Sequence, residues 1–549
     1  MRKSLFLYTL FIFAALGSVS IAPMAFGEEL ASALLTPIEP SSASSISNGQ
    51  QDSTVVRSRY VQINFDILKG EHFKGADDIV LHLFPDVTLS ATKLRIEWRS
   101  AKAYTWFGHL KGYDHSQAIL VVGDGVMAGN ITANGKIYQI RFVSDGIHAV
   151  REINQAAFPE ELPPIPGNTN PDELNVLPQS SPQPDAGDFI DVMVVYTPAA
   201  KIGAGGTTPI QSLIQLAVDE TNQSYINSGI NQRLRLVHNE EVSYTESGNL
   251  CGASTGDLER LAGTMDGYMD NVHALRDSYG ADLVSLVTET GNPNACGCGY
   301  LMTTVSTAFA ANAFMVTRRD CATGYYSFGH ELGHNMGARH DWYVDPEITP
   351  YPYSHGYVYT PGRWRTIMAY NNECSPLNCT RVQYWSNPDV LYGGVPMGVP
   401  EGSFHPADNR KTLNNTASTV ANFRQSQVPT PDIKANNLNG PITIHSADVL
   451  KLVVSLNPAA AYTGQNADWW LVASTPFGWY YYNVGAGTWE PGLNVTYQGP
   501  LFNLASMEVL NITGLPAGAY TLYFGIDTTP NGIVDGQLFY DSVAVTVTP

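Results

Sequence analysis

Cysteine is scarce in this chain and confined: the 549 residues hold six, all between Cys251 and Cys379. Both flanks are thereby excluded from thiol chemistry and from disulfide crosslinks. Basic residues are short as well, 30 Lys and Arg against 50 Asp and Glu for a net charge of −20. That balance argues against a nucleic-acid or anionic-membrane partner, either of which needs basic stripes. Beyond residue 27 no run is apolar and long enough for a bilayer, which takes about 20 residues, and Val545-Thr546-Val547-Thr548-Pro549 carries neither a basic nor a hydrophobic tail. The start is the exception. Arg2 and Lys3 precede an uncharged stretch from Ser4 to Gly27, with small residues at Ala25 and Gly27. This reads as a signal peptide over residues 1–27, with the mature chain beginning near Glu28 and secreted; an uncleaved membrane anchor is the alternative. In an exported chain, an even number of cysteines reads as disulfides.

What is present is concentrated in His330-Glu331-Leu332-Gly333-His334-Asn335-Met336-Gly337-Ala338-Arg339-His340-Asp341. Residues four apart on a helix stand one above the other, so His330 and His334 can offer two imidazoles to one ion, with Glu331 carried beside them. Gly337 supplies the break, because glycine takes the left-handed conformation that ends a helix, and His340 then arrives as the third ligand. A catalytic zinc wants three protein ligands and one open position, lowers the pKa of its water towards ~7, and leaves Glu331 to take the proton as general base. The expected activity is a zinc-dependent endopeptidase acting on protein or peptide substrates. A secreted adhesin using an enzyme-like scaffold, and a zinc hydrolase of a non-peptide substrate, are the rivals; the first expects a damaged site, and Glu331 is intact.

These residues resemble the metzincin signature, HExxHxxGxxH followed by a tight methionine-containing turn. Thr366-Ile367-Met368-Ala369-Tyr370 is the matching turn, and the resemblance implies that Met368 lies under the three imidazoles as an apolar floor. Asp341 directly after the third histidine is similar to the adamalysin/reprolysin type, which implies a structural role for it. Tyr370 departs from that type and resembles the astacin and serralysin turn, where a tyrosine can approach the metal; a packed tyrosine is the other reading. Substrate specificity is expected from the cleft walls, residues 351–370. Cys321 is expected to bond Cys374 or Cys379, tying the metal helix to the segment after the turn, while Cys296 and Cys298 stand as alternative ligands of a second metal.

A chain of this length exceeds one core, since domains rarely pass about 250–300 residues. Pro159, Pro163, Pro164, Pro166, Pro171, Pro178, Pro182 and Pro184 mark a linker over residues 159–187, unable to hold a helix or a central strand. Before it, Tyr60 to Phe65, Gln117 to Val122 and Ile137 to Phe142 read as strands of a mostly β domain, residues 28–158. Its position resembles the prodomain of exported metallopeptidases; a permanent binding domain is the alternative. Without cysteine it has no thiolate latency device, and His109 and His115 are its candidate zinc blockers. The catalytic domain, residues 188–426, is expected to be α+β (α/β), with a mixed, twisted sheet and an active-site helix. Phe189 to Tyr196 and Asp282 to Val287 read as buried strands. One helix starts at Thr208-Pro209-Ile210-Gln211 with Thr208 as cap. A second runs from about Thr255 to Gly280 with Leu258, Leu261, Met265, Met269 and Val272 in the core. The metal helix opens near Gly324, and Leu413 to Phe423 closes the domain.

A second linker, residues 427–433, leads to residues 434–549, where short β runs alternate with turns. They read as an all-β, immunoglobulin-like sandwich able to bind substrate or cell-surface material. Trp469, Trp470, Trp479, Tyr480, Tyr481, Tyr482 and Trp489 form either a stacking platform or its core and rims. Asp527 to Asp535 lacks the alternating oxygens of a calcium loop and reads as a turn, leaving structural Ca2+ open.

Overall fold

Phe189–Tyr196 is buried along nearly its whole length, as only a strand covered on both faces can be. In the computed structural model it lies inside a six-stranded sheet. The structure describes residues 33–38, 52–69, 76–100, 102–167, 189–252, 255–290, 294–535 and 537–549. The signal-peptide segment, residues 1–27, and linker residues 168–187 lie outside them.

The strands of this sheet are β1 (Ile165–Pro166), β2 (Phe189–Tyr196), β3 (Arg233–Glu241), β4 (Leu283–Thr288), β5 (Gly297–Leu301) and β6 (Phe314–Arg318). Their order is β1-β5-β6-β4-β2-β3. All neighbours are parallel except β5 and β6, so the sheet is mixed, as expected. Within the stretch read as a linker, residues 165–166 form a short strand on the edge of this sheet: Pro166 pairs with Leu301, and the edge position tolerates its missing N–H.

Helix α1 (Thr207–Ser228) crosses one face of the sheet. Gly206, not Thr208, is its N-cap, because the preceding helix Pro198–Ala204 ends in two glycines with positive φ and the chain re-enters a helix at once. The expected second helix is two, α2 (Asp257–Ala262) and α3 (Asn271–Tyr279). Between them Asp266 accepts from Tyr268 N at 2.9 Å and Asp270 from Gly267 N at 3.2 Å, short polar side chains competing with helix formation. Met265 is consequently 92% exposed rather than core, while Met269 is buried. Helix α4 (Ser327–Asn335) starts three residues after Gly324, whose φ of 76° is left-handed. Helix α5 (Asn409–Val420) is capped by Asp408 accepting from Lys411 N.

Disulfides join Cys251–Cys298, Cys296–Cys321 and Cys374–Cys379, and no cysteine is free. The expected bond from Cys321 to Cys374 or Cys379 is therefore wrong, as is the second-metal reading of Cys296 and Cys298. Cys374 and Cys379 close a short loop on each other, and β5 brings Cys296 to the approach of α4.

The N-terminal residues form a nine-stranded antiparallel sheet, a meander from Asp78–Phe84 to Ile147–Ile153 extended by Val55–Ile63 and Leu35–Pro37. It lies on α1: Leu216 packs with Phe107, Ile119, Val121 and Ala128. The C-terminal residues form two sheets around one core that includes Ile433, Leu452, Leu471, Phe524 and Val545. The first strand, Thr430–Ala435, begins inside the stretch read as linker. Trp469 and Trp470 are buried in this module and the other five aromatics are half-buried. Asp468 and Asp527 accept backbone N–H groups of Asn531, Gly532, Thr529 and Asp535, which organises the turn.

Candidate active site

Helix α4 is buried at every position. A Cβ at Gly333 would stand 2.8 Å from Met368 Sδ and 2.8 Å from the Trp385 ring, and one at Gly297 would stand 2.4 Å from Glu331 Oε1. Both glycines exist for close approach: one seats the helix on the methionine turn, the other lets β5 pass over the glutamate. Gly337 has φ +88° and turns the chain as its position implied. Its N–H donates to His334 O at 3.0 Å, and Ala338 N to Gly333 O at 2.8 Å.

His330, His334 and His340 meet through their Nε2 atoms, 3.0 to 3.2 Å apart pairwise. Their Nδ1 protons are directed elsewhere, His330 to Ile367 O at 2.9 Å and His334 to Ala338 O at 2.8 Å. Burial pushes all three below the usual imidazole pKa, which favours the unprotonated form that a metal needs. Three converging lone pairs at this spacing fit a cation bound tetrahedrally at about 2.0–2.1 Å from each nitrogen. Among the described residues this is the one group of three or more His, Cys, Asp or Glu able to hold a metal. His109 and His115 are not in it; His109 is exposed, and His115 packs against Tyr384 and Tyr392.

Glu331 is fully buried, and neither carboxylate oxygen has a protein partner. Burial, with the charge of Glu161 adding to it, pushes its pKa well above the usual range; a cation at the triad pulls the other way. Asp341 accepts Tyr370 N at 2.8 Å and Tyr343 N at 3.1 Å, bracing the third histidine against the methionine turn. Met368 is fully buried under α4. The Tyr370 ring lies 4.0 Å from that of His340, and its hydroxyl donates to Glu161 O at 2.7 Å.

Sequence reading missed the acids that enter this cleft. Glu161 is bound by both Arg381 terminal nitrogens, at 2.6 and 2.7 Å, and by Ser327 Oγ at 2.6 Å. Burial alone would raise its pKa, but the adjoining Arg381 and His330 outweigh that and hold it well below the usual carboxylate range. Glu160 takes Arg365, Asn371 N and Arg381 at 2.9 to 3.0 Å. The only sequence signal was two adjacent acids at the head of a proline-rich stretch.

Residues 188–386 match metallo-peptidase family M12. The peptidyl-Asp metalloendopeptidase of Stenotrophomonas maltophilia is 43% identical over 320 residues, 56% of this chain and 71% of its own length. That of Xanthomonas campestris is 39% identical over 355 residues, 61% of this chain and 80% of its own. In that of Pseudomonas fragi the identity is 36% over 206 residues, 37% of this chain and 100% of the relative. With the histidine triad assembled by the metal helix and the turn after it, and the likeness extending over most of these relatives, the chain belongs to the M12 metallopeptidases and is a zinc metalloendopeptidase.

Proposed function

We propose that this enzyme is secreted as a zymogen and hydrolyses peptide bonds at acidic residues. His330, His334 and His340 hold the zinc, which supplies Lewis-acid polarisation of the scissile carbonyl. Glu331 takes the proton of the attacking water and returns it to the leaving amine. Gly337 turns the chain so that His340 reaches the triad, Asp341 braces it, and Met368 is its apolar floor. Tyr370, whose hydroxyl already binds a peptide carbonyl, orients the substrate backbone. The observation that carries this reading is the Nε2 triangle with an unpartnered, buried carboxylate beside it.

The acidic preference is supported by the relatives' name, peptidyl-Asp metalloendopeptidase. Three disulfides support export, and among the described residues no helix is long and apolar enough to cross a membrane. Residues 28–158 act as prodomain; residues 434–549 are an immunoglobulin-like sandwich that contacts substrate or cell-surface material.

The mechanism predicts two different failures. Glu331→Gln should keep stoichiometric zinc and lose ~10²–10⁴-fold in turnover, the scale of general-base catalysis. His334→Ala should lose the metal and, with it, stability. Elemental analysis beside peptide turnover decides, and near-normal turnover of a zinc-loaded Glu331→Gln enzyme would refute the assignment.

A further inference from the structure

Arg381 has no task in the mechanism above, yet it is fully buried beside the metal site. Its ionic partners are Glu160 and Glu161, which lie outside the residues matched by the family. Glu161 gives it a bidentate pair, the geometry for which a guanidinium fork is specific. The same carboxylate lies 3.9 Å from His330 Nδ1, one ring away from the nitrogen that meets the other two histidines.

The backbone around Glu161 is held as a bound peptide would be. Leu162 N donates to Gly297 O at 2.9 Å, Cys296 N to Glu160 O at 3.1 Å and Gly167 N to Leu301 O at 3.0 Å. Adding an extended segment to a sheet edge, with side-chain pockets choosing its sequence, is a general mode of peptide recognition. Here the pocket contains a buried arginine and the hydroxyl of Ser327. A neutral or basic side chain in it would take from the buried cation its bidentate partner and leave it only Glu160, so the pocket favours an acid.

We propose that the pocket of Arg381 and Ser327 is the subsite that reads an acidic substrate side chain, with Arg381 as the specificity-determining residue, and that Glu161 fills it in the uncut chain. This rests on the acid-directed reading above. The chain carries its own substrate-like plug: an acidic residue on a segment hydrogen-bonded to the sheet edge, set among the prolines of residues 159–166.

The test uses the full chain and two peptides that differ only in Asp or Asn at one position. Glu161→Gln should raise turnover of the Asp peptide at least ~10-fold, with zinc content unchanged and the Asp peptide preferred by about 10²-fold or more. Glu161→Gln with Arg381→Gln leaves no buried charge unpaired and should cut that preference to within about 5-fold, the range of a site without a charged contact. A Glu161→Gln chain as silent as the parent overturns the plug. If it turns over but has no acid preference, the acid-directed reading itself fails; a preference that survives the double substitution overturns the pocket alone. Should the double variant not fold, the peptide of residues 158–167 replaces it as a competitor of the Glu161→Gln chain. It should inhibit at least ~30-fold better than its Glu161→Gln version, as for the loss of one partner of a buried charge pair. Equal inhibition overturns the proposal.

Discussion

Gly333 shows how little slack the metal helix has. A methyl group there would press on the sulfur of Met368 and the ring of Trp385, both fully buried. Trp385 cannot yield easily, because its Nε1 donates to Ser224 Oγ at 2.7 Å and its N to Ser228 Oγ at 2.8 Å. Gly333→Ala should therefore destabilise the protein by ~1–3 kcal/mol, the usual consequence of overpacking, and should weaken zinc retention by displacing the floor. Thermal melts with and without a chelator measure both. An unchanged melting temperature and zinc content would show that Met368 moves aside freely.

At the scale of elements, β5 is the strand on which the cleft depends. It passes over Glu331, receives the plug segment on its free edge and is secured by two disulfides, Cys296–Cys321 to the approach of α4 and Cys251–Cys298 to the loop before α2. Replacing Cys296 and Cys321 together by alanine should lower stability by ~2–4 kcal/mol, the usual range for a lost disulfide. Turnover should fall further than that loss explains, because β5 would no longer be held against Glu331. Denaturation midpoints beside kcat at a temperature where the variant is folded test this; unaltered kcat would mean that the sheet alone positions the strand.

The whole molecule places two buried carboxylates at the junction of the N-terminal sheet and α1. Asp219 accepts Thr105 Oγ1 at 2.6 Å and Gln215 Nε2 at 2.8 Å, with Arg99 at 4.0 Å and the charge of Glu97 also facing it. Glu220 accepts Asn130 Nδ2 at 2.6 Å and Gly324 N at 2.9 Å, with the charges of Arg141 and Asp219 nearby. Burial, reinforced by Glu97 at Asp219 and by Asp219 at Glu220 and only partly offset by the hydrogen bonds and arginines, raises Asp219 from 3.8 to about 6 and Glu220 from 4.5 to about 7. The docked state thus binds more protons than the separated one, where water returns both groups to ordinary values. Docking is strongest below about pH 4 and weakens as pH rises through about 6 to 7. A chain nicked within residues 168–187 should co-elute as one species on gel filtration at pH 5 and release its N-terminal part more readily at pH 8. Tighter association at pH 8 would contradict the assignment.

The sequence by itself determined the metal site, the turn at Gly337, the methionine turn and the main buried strands. These are readable because ligand spacing on a helix, burial alternation along a strand and glycine or proline punctuation are properties of neighbours in the chain. The reading failed where a partner was distant or a local competitor intervened. Asp266 and Asp270 broke a periodic helix and left Met265 in solvent. The cysteines paired by where β5 travels, not between the metal helix and the segment after the methionine turn. Only the tertiary structure decided that Glu161 and Arg381, 220 residues apart, share one buried pocket beside His330. Specificity is expected from residues 351–370, and the proposed pocket adds Arg381 beyond them. An arginine is read from sequence as a solvated surface charge until the fold removes its water and forces it to find an acid.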